Sequence, residues 1–395
     1  MLFQQFFNYG ISFLVGALVI RYLGPNDYGI ITYILAILSI LNPILFLGSS
    51  NILPREITVK QNIDLTYSFI KFSFIIALIF FIMIFIIILF SDFDDKEEFL
   101  ILSCTLLFIP FQILNYNNNA ILKSKRNTIS IIYTTLLIVP LKLFIVYYDL
   151  GLKCIVITFL LDSILISVFL IWNSKINFRL LFSSKLKKLK YLNKSIIFNI
   201  SATIVFILYT RIDQLMIKSF LNNFELGIYS ANVKIYDAVI MIGFTISLSL
   251  LPYITKTKNN DKVLKKIYKY FYYLLFPGVI LLVLFSDLVI LTLFGSSFVT
   301  GFISMKILLI SSFFAVFTSL NNKILISCNL EKTILIRSIF ALIINIILNI
   351  ILIPKYGING AAISTLVVTI FTAYIYDLID NKSFFLNNYK FLKND

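Results

Sequence analysis

Four ionisable residues, Arg211, Asp213, Lys234 and Asp237, stand inside two apolar runs at the middle of the chain, in the stretch LYTRIDQLMIKSFLNNFELGIYSANVKIYDAV. An ionised group at the centre of a bilayer costs about 2.5–3.5 kcal/mol on insertion scales, so such residues face a partner or a water-filled cavity. Lys234 and Asp237 are three apart and share a helix face, while Arg211 and Asp213 are two apart and point to different faces. Two readings stay open. The four neutralise one another and only hold a helix pair together, or they line a polar path.

Further cations stand within reach of a central cavity: Lys142, Arg337 and Arg55. Arg21, Lys71 and Lys306 are better placed to snorkel to an interface. Asp162, near the middle of an apolar run, has Lys142 as its candidate partner. An acid without a partner at that depth is a candidate proton or sodium carrier, and Asp213 and Asp237 share that candidacy. The excess of cation over anion favours an anionic substrate such as a pyrophosphate or an acidic sugar.

Several chemistries are absent. The 13 glycines include no phosphate-binding G-x-x-x-x-G-K-[ST] loop, and no G-x-S-x-G elbow, G-x-G-x-x-G turn or zinc spacing occurs. With no histidine, a His-containing metal site or catalytic triad is excluded. Cys104, Cys154 and Cys328 are odd in number and far apart, and read as packing residues. No catalytic residue and no metal ligand is expected.

The elements that must position these charges follow from composition. With 59% hydrophobic and 13% charged residues and a mean hydropathy of +0.95, the chain is too apolar for a soluble globular protein. The net charge of +15 falls in short segments between apolar runs, which suits cytoplasmic loops and not a nucleic-acid binder. An all-α polytopic membrane protein is predicted, with about 12 transmembrane helices of about 20 residues each. They run roughly over residues 3–22, 28–53, 67–90, 99–122, 128–148, 152–172, 195–217, 227–253, 267–293, 302–320, 333–353 and 361–378. Residues 302–320 are short enough to be re-entrant. Phe3–Ile20 lacks a small-residue cleavage pattern and reads as the first span, not a removable leader.

Lys and Arg set the orientation. With a cytoplasmic N-terminus, the inside segments hold most of the basic residues, among them Lys123, Lys125 and Arg126, the run Lys175–Lys194, and Lys256–Lys269. Outside turns hold only Arg21, Lys96, Lys153, Lys218 and Lys355, besides the acidic run Asp92–Glu98. Both termini are therefore expected in the cytoplasm. On this topology Lys234 and Asp237 lie roughly 10–15 Å below the outer surface.

The chain also repeats itself. Leu23, Asp27, Gly29 and Ile30 recur as Leu221, Glu225, Gly227 and Ile228, and at the same offset Leu53, Pro54 and Lys60 recur as Leu251, Pro252 and Lys258. Two parallel six-helix lobes follow: residues 1–172 and 195–378, with a basic cytoplasmic linker at 173–194 and a cytoplasmic tail at 379–395. Repeated lobes around a midplane site are common in secondary transporters.

Three segments carry a family resemblance: RYLGPNDYGIITYILAILS from Arg21, RIDQLMIKSFLNNFELGIYSANVKIYD from Arg211, and LIPKYGINGAAISTL from Leu352. They resemble the Wzx-type polysaccharide flippases of the MOP (MATE-like) exporter superfamily, over nearly the whole chain in length, span count and order. Span one starts almost at Met1, a shorter lead than the family's. The resemblance implies translocation of an undecaprenyl-diphosphate-linked oligosaccharide from the inner to the outer leaflet of a bacterial cytoplasmic (inner) membrane, by alternating access coupled to a proton or sodium gradient. It matches Arg211 and Asp213 to a basic-x-acidic pattern in span seven and Lys234 to a basic position in span eight. The pathways in view are O-antigen, capsule or exopolysaccharide synthesis, with a polysaccharide polymerase and chain-length regulator as further partners. A MATE-like drug or metabolite antiporter is the alternative, although it would prefer acidic cavity residues. A membrane polymerase or ligase of the same pathway is disfavoured by the short outside turns.

Overall fold

The computed structural model describes residues 2–49, 53–54, 57, 63–91, 94–174, 194–257, 261–327 and 330–375. Arg55, Lys60, Cys328, the basic run 175–193, Lys258 and the tail 379–395 lie outside the described residues. Among those described, every regular element is a helix, and eleven helices are long and apolar enough to cross a membrane. One of them, Gly10–Phe46, is 37 residues long and contains a break at Gly24, where φ is 71°. Only glycine takes that conformation without strain, so the break divides the run into two spans. The protein is an all-α, multi-pass membrane protein.

The chain forms two compact units. The first comprises Met1–Leu23 and Ile34–Ile204. It takes in most of α1 (Leu2–Phe46), then α2 (Ile63–Phe90), α3 (Lys96–Ser103), α4 (Ile113–Ala120), α5 (Lys125–Tyr147) and α6 (Gly151–Ser174). The sequence expects the second span to run to Leu53, but α1 ends at Phe46 because Leu47 and Gly48 both adopt positive φ. Such a left-handed pair cannot continue a helix. Two 3₁₀ turns around Pro110 join α3 to α4, because proline lacks the amide proton a helix interior needs.

Buried Leu47, Phe69, Ile113 and Leu170 bring α2, α4 and α6 into one core. At one end of this unit an amide network ties the helices: Asn118 Nδ2 donates to Asn127 Oδ1 at 2.7 Å and to Ser174 Oγ at 2.9 Å. At the other, Tyr22 Oη donates to Asp149 Oδ1 at 2.7 Å and accepts from the Gly151 amide at 2.8 Å. Lys153 and Glu97 pair at 2.6 Å. These residues all come from turns that the charge distribution assigns to one side.

The second unit comprises Gly24–Tyr33 and Val205–Asp395. Its elements are most of α7 (Lys194–Phe220), α8 (Asn223–Thr257), α9 (Asp261–Leu284), α10 (Ser286–Leu293), α11 (Phe302–Ser327), α12 (Glu331–Tyr356) and α13 (Ile358–Ile370). Helix α11 corrects an expectation: residues 302–320 are not re-entrant but belong to a continuous helix of 26 residues. Its moderate hydropathy comes from Ser304, Ser311, Ser312, Ser319 and Asn321, all buried because α11 packs against α8, α9 and α13. Buried hydroxyls mostly satisfy themselves on the preceding helical turn, as Ser311 does on the Ile307 carbonyl at 2.8 Å. Phe317 of α11 stacks on Tyr268 of α9 with the rings 6° from parallel. Lys306, expected only to snorkel, pairs with Asp287 at 3.0 Å.

The sequence repeat takes physical form inside this unit. A Cβ added at Gly29 would strike the carbonyl oxygen of Asn223, and one added at Gly227 would strike the carbonyl oxygen of Pro25. Pro25 and Asn223 hold equivalent places in the two repeats, so the contact is reciprocal. Two helix starts cross where neither carries a side chain, which is how small residues let membrane helices approach. This crossing places residues 24–33 with the second unit.

Candidate functional site

Helices α7, α8, α11, α12 and α13 enclose a cavity of about 540 Å³ within the second unit. Its wall includes Arg211, Asp213, Asp237 and Lys323, with Gln214, Asn322, Asn345 and Thr365 among its neutral polar residues and Phe206, Tyr209, Tyr229, Tyr236 and Phe244 as its aromatic ones. A cavity of roughly 300–1,000 Å³ with a few convergent polar groups is the usual form of a small-molecule site.

Arg211 and Asp237 form an ion pair at 3.6 Å, with side chains 34% and 49% exposed. The pair joins the second half of α7 to the first half of α8. Tyr28, from the 24–33 segment, interacts electrostatically with both. Lys234 also interacts with Asp237, one helical turn away, but lies outside the cavity lining. Half of the expected four-charge cluster is thus a neutralised pair with Lys234 beside it.

Asp213 behaves differently. Buried at 6% exposure, it accepts hydrogen bonds from Tyr229 Oη at 2.9 Å and Thr365 Oγ1 at 2.7 Å on one oxygen, and from Asn349 Nδ2 at 2.8 Å on the other. Asn349 also bonds Asn345, and Ser364 Oγ donates to Asn345 Oδ1 at 3.3 Å. Four elements, α7, α8, α12 and α13, therefore converge on one carboxylate through neutral donors. The Oδ1 atom of Asn349 is buried without a hydrogen-bond partner, an open acceptor beside the acid. The carboxylate is thus held by neutral N–H and O–H donors, with one amide oxygen open beside it. Among the described residues no cluster of three His, Cys, Asp or Glu occurs.

The remaining sequence candidates divide. Arg337 is buried and donates to Asn322 Oδ1, so it stands behind the cavity wall and not in it. Lys142 and Asp162 belong to the first unit, where they interact electrostatically across the α5–α6 hairpin, with Lys142 Nζ 4.7 Å from the centroid of the Phe159 ring. Arg55 lies outside the described residues. Sequence reasoning missed Lys323, which falls just beyond the expected span 302–320, and the neutral partners Asn345, Asn349 and Thr365. The length of α11 would have placed Lys323 inside a span; the neutral residues carry no signal of their own.

Comparison with known proteins accords with this architecture. In the structure of "Lipid II flippase MurJ, inward closed conformation", 90% of the chain is covered by 99% of this one, with a TM-score of 0.78 and 19% identity. An inward-facing multidrug resistance MATE family transporter of the MOP superfamily gives 0.67 at 15% identity, covering 96% of each chain. At these identities the likeness establishes the fold, which is MurJ- and MATE-like. The uncharacterized membrane protein MJ1375 of Methanocaldococcus jannaschii is 30% identical over 165 residues, 41% of this chain. That match spans only 39% of the relative's length. The profile of one family, described as polysaccharide biosynthesis protein, matches residues 18–303, and the chain belongs to that family.

Proposed function

We propose that the protein is a flippase that moves an undecaprenyl-diphosphate-linked oligosaccharide from the cytoplasmic to the outer leaflet of the inner membrane, for O-antigen, capsule or exopolysaccharide synthesis. The observation that carries this reading is a cavity between membrane-spanning helices, with charged and polar side chains set in a largely apolar wall, in a member of a polysaccharide biosynthesis family. The fold likeness to a lipid II flippase supports a lipid-linked substrate. No covalent step is required. The head group would occupy the polar cavity while the polyprenyl tail stays in lipid, and the protein would bind it more strongly in one arrangement of an alternating-access cycle than in the other. A proton or sodium ion taken up at Asp213 would reset the cycle: its binding changes which of the surrounding donors the carboxylate must satisfy. Both termini are assigned to the cytoplasm from the basic loops.

The test is leaflet transfer in proteoliposomes with a labelled undecaprenyl-diphosphate oligosaccharide, with and without an imposed proton or sodium gradient. Protein-dependent transfer is expected, accelerated by one of the gradients. Folded protein that moves no lipid-linked sugar would overturn the reading. The acids Asp213 and Asp237 in the cavity wall favour one competitor, a cation antiporter of the MATE kind, which the same vesicles would reveal by gradient-driven uptake of a cationic dye.

A further inference from the structure

The cavity of the second unit has two chemically different ends. At one stand Asp213 and the Arg211–Asp237 pair. Phe244 lies seven residues beyond Asp237 on α8, about 10 Å of helix rise. There the wall changes sign: Lys323 of α11 holds its Nζ 4.6 Å from the centroid of the Phe244 ring. Among the described residues no acidic oxygen lies within salt-bridge distance of Lys323, whereas Arg211 is neutralised by Asp237.

Two neighbours on α11 share the Lys323 end. Ser319, one helical turn earlier and 9% exposed, lines the cavity, and its Oγ is buried without a hydrogen-bond partner. A helical serine normally satisfies itself on the preceding turn, as Ser311 does; this hydroxyl does not. Asn322 also lines the cavity, and its Oδ1 accepts from the buried Arg337. A guanidinium offers donors only, so the amide must turn its oxygen to Arg337, which leaves the Nδ2 donors for another acceptor. A hydroxyl, an amide N–H and an ammonium thus gather within five residues of one helix, with a second cation directly behind them.

We propose that Ser319, Asn322 and Lys323 form an oxyanion-binding subsite for a phosphate or diphosphate group, with Arg337 as the positioning residue that fixes Asn322. Donor-rich, acceptor-poor surroundings match a group with several acceptor oxygens, and charge-assisted bonds to it are the strong ones. The opposite end of the cavity repels such a group through Asp213. The inference deepens the flippase reading and rests on it only for the identity of the molecule that bears the phosphate.

Binding to the purified full chain tests it directly, with geranylgeranyl diphosphate, geranylgeraniol and inorganic pyrophosphate as probes. Geranylgeranyl diphosphate should bind at least tenfold more weakly to Lys323→Gln and about threefold more weakly to Ser319→Ala. Lys323→Arg should stay within threefold of the parent, and Lys306→Gln, at a separate ion pair, should be unchanged. Pyrophosphate binding that depends on Lys323 would mean that the subsite reads the head group alone; dependence seen only with the lipid diphosphate would mean that the tail assists. Either supports the subsite. Equal affinity for geranylgeraniol and its diphosphate overturns it, as does a folded Lys323→Gln that binds like the parent. If Lys323→Gln does not fold, unchanged binding by Ser319→Ala decides against it. Lys323-dependent binding in a protein that moves no lipid-linked sugar would keep the subsite and remove the flippase. Transfer with binding indifferent to Lys323 would do the reverse.

Discussion

Asp213 and Arg211 are two residues apart and do different physical work, which makes their substitutions separable. Replacing Asp213 with alanine removes the acceptor shared by Tyr229, Asn349 and Thr365; Thr365 keeps the Ala361 carbonyl at 3.0 Å and Tyr229 the Thr365 hydroxyl at 3.2 Å, so the cost is that of one buried network cut at its centre, about 1–3 kcal/mol. Asp213→Ala is therefore expected to lower the melting temperature in detergent markedly. Asp213→Asn keeps the shape and part of the acceptor capacity, so it should fold and yet lose the gradient dependence of transfer; a gradient response equal to the parent's would remove Asp213 from ion coupling. Arg211→Ala breaks the pair with Asp237, whose carboxylate keeps Lys234 as a partner. Its stability should barely change while surface polysaccharide falls, and the same is expected of Lys234→Ala; normal polymer from both would exclude these cations from the transport path. The sequence made Arg211 and Asp237 visible because charge is conspicuous in an apolar run. It hid the environment of Asp213, since Asn349 and Thr365 arrive from distant helices and are unremarkable by type. Lys323 was obscured for a third reason: a lysine near a helix end looks like a loop residue until the helix is known to continue past it.

At the scale of elements, the repeat was legible as recurring letters, and its purpose was not. Gly29 and Gly227 read as equivalent residues at the starts of two spans, and in the structure they serve a reciprocal backbone crossing. Identity at an offset says that two segments are alike and cannot say that they touch. Because the obstructing atoms are carbonyl oxygens of Asn223 and Pro25, a methyl group cannot be accommodated by a side-chain rotation. Gly29→Ala and Gly227→Ala should each destabilise the protein by about 1–3 kcal/mol or more, as overpacking does. Gly278 supplies the control: it lies in helix α9 with nothing within 4 Å of an added Cβ, so Gly278→Ala should be neutral or stabilising by up to about 1 kcal/mol. Thermal unfolding of the three purified variants would check the contrast, and equal melting temperatures would mean that the crossing is not tight. The long α11 teaches the complementary lesson. Hydropathy measures contact with lipid, and a central helix surrounded by other helices can hold serines and asparagines at no cost in span length, so the sequence underestimates it.

For the whole molecule, the strongest signal in the sequence is the sorting of lysine and arginine between alternate turns, and it acts on insertion, not on packing. Positive charge resists translocation, so the segments rich in Lys and Arg are expected on the cytoplasmic side. The packing within the first unit agrees that the turns sort into sides: Glu97 pairs with Lys153, and Tyr22 bridges Asp149 and Gly151, all from turns assigned to the same face. Contacts of this kind show which turns share a side and leave open which side that is, since a bundle packs identically either way up. The charges alone decide, and one span suffices to test them. Asp94 and Lys123 are both exposed, at opposite ends of the Lys96–Ala120 span. In a chain with Cys104, Cys154 and Cys328 replaced by serine, Asp94→Cys should react with a membrane-impermeant maleimide in intact cells. Lys123→Cys should react only after the membrane is permeabilised. The opposite pattern would invert the topology, put the Lys323 end of the cavity at the outer face, and require the phosphate-bearing group to meet the subsite after crossing instead of before it.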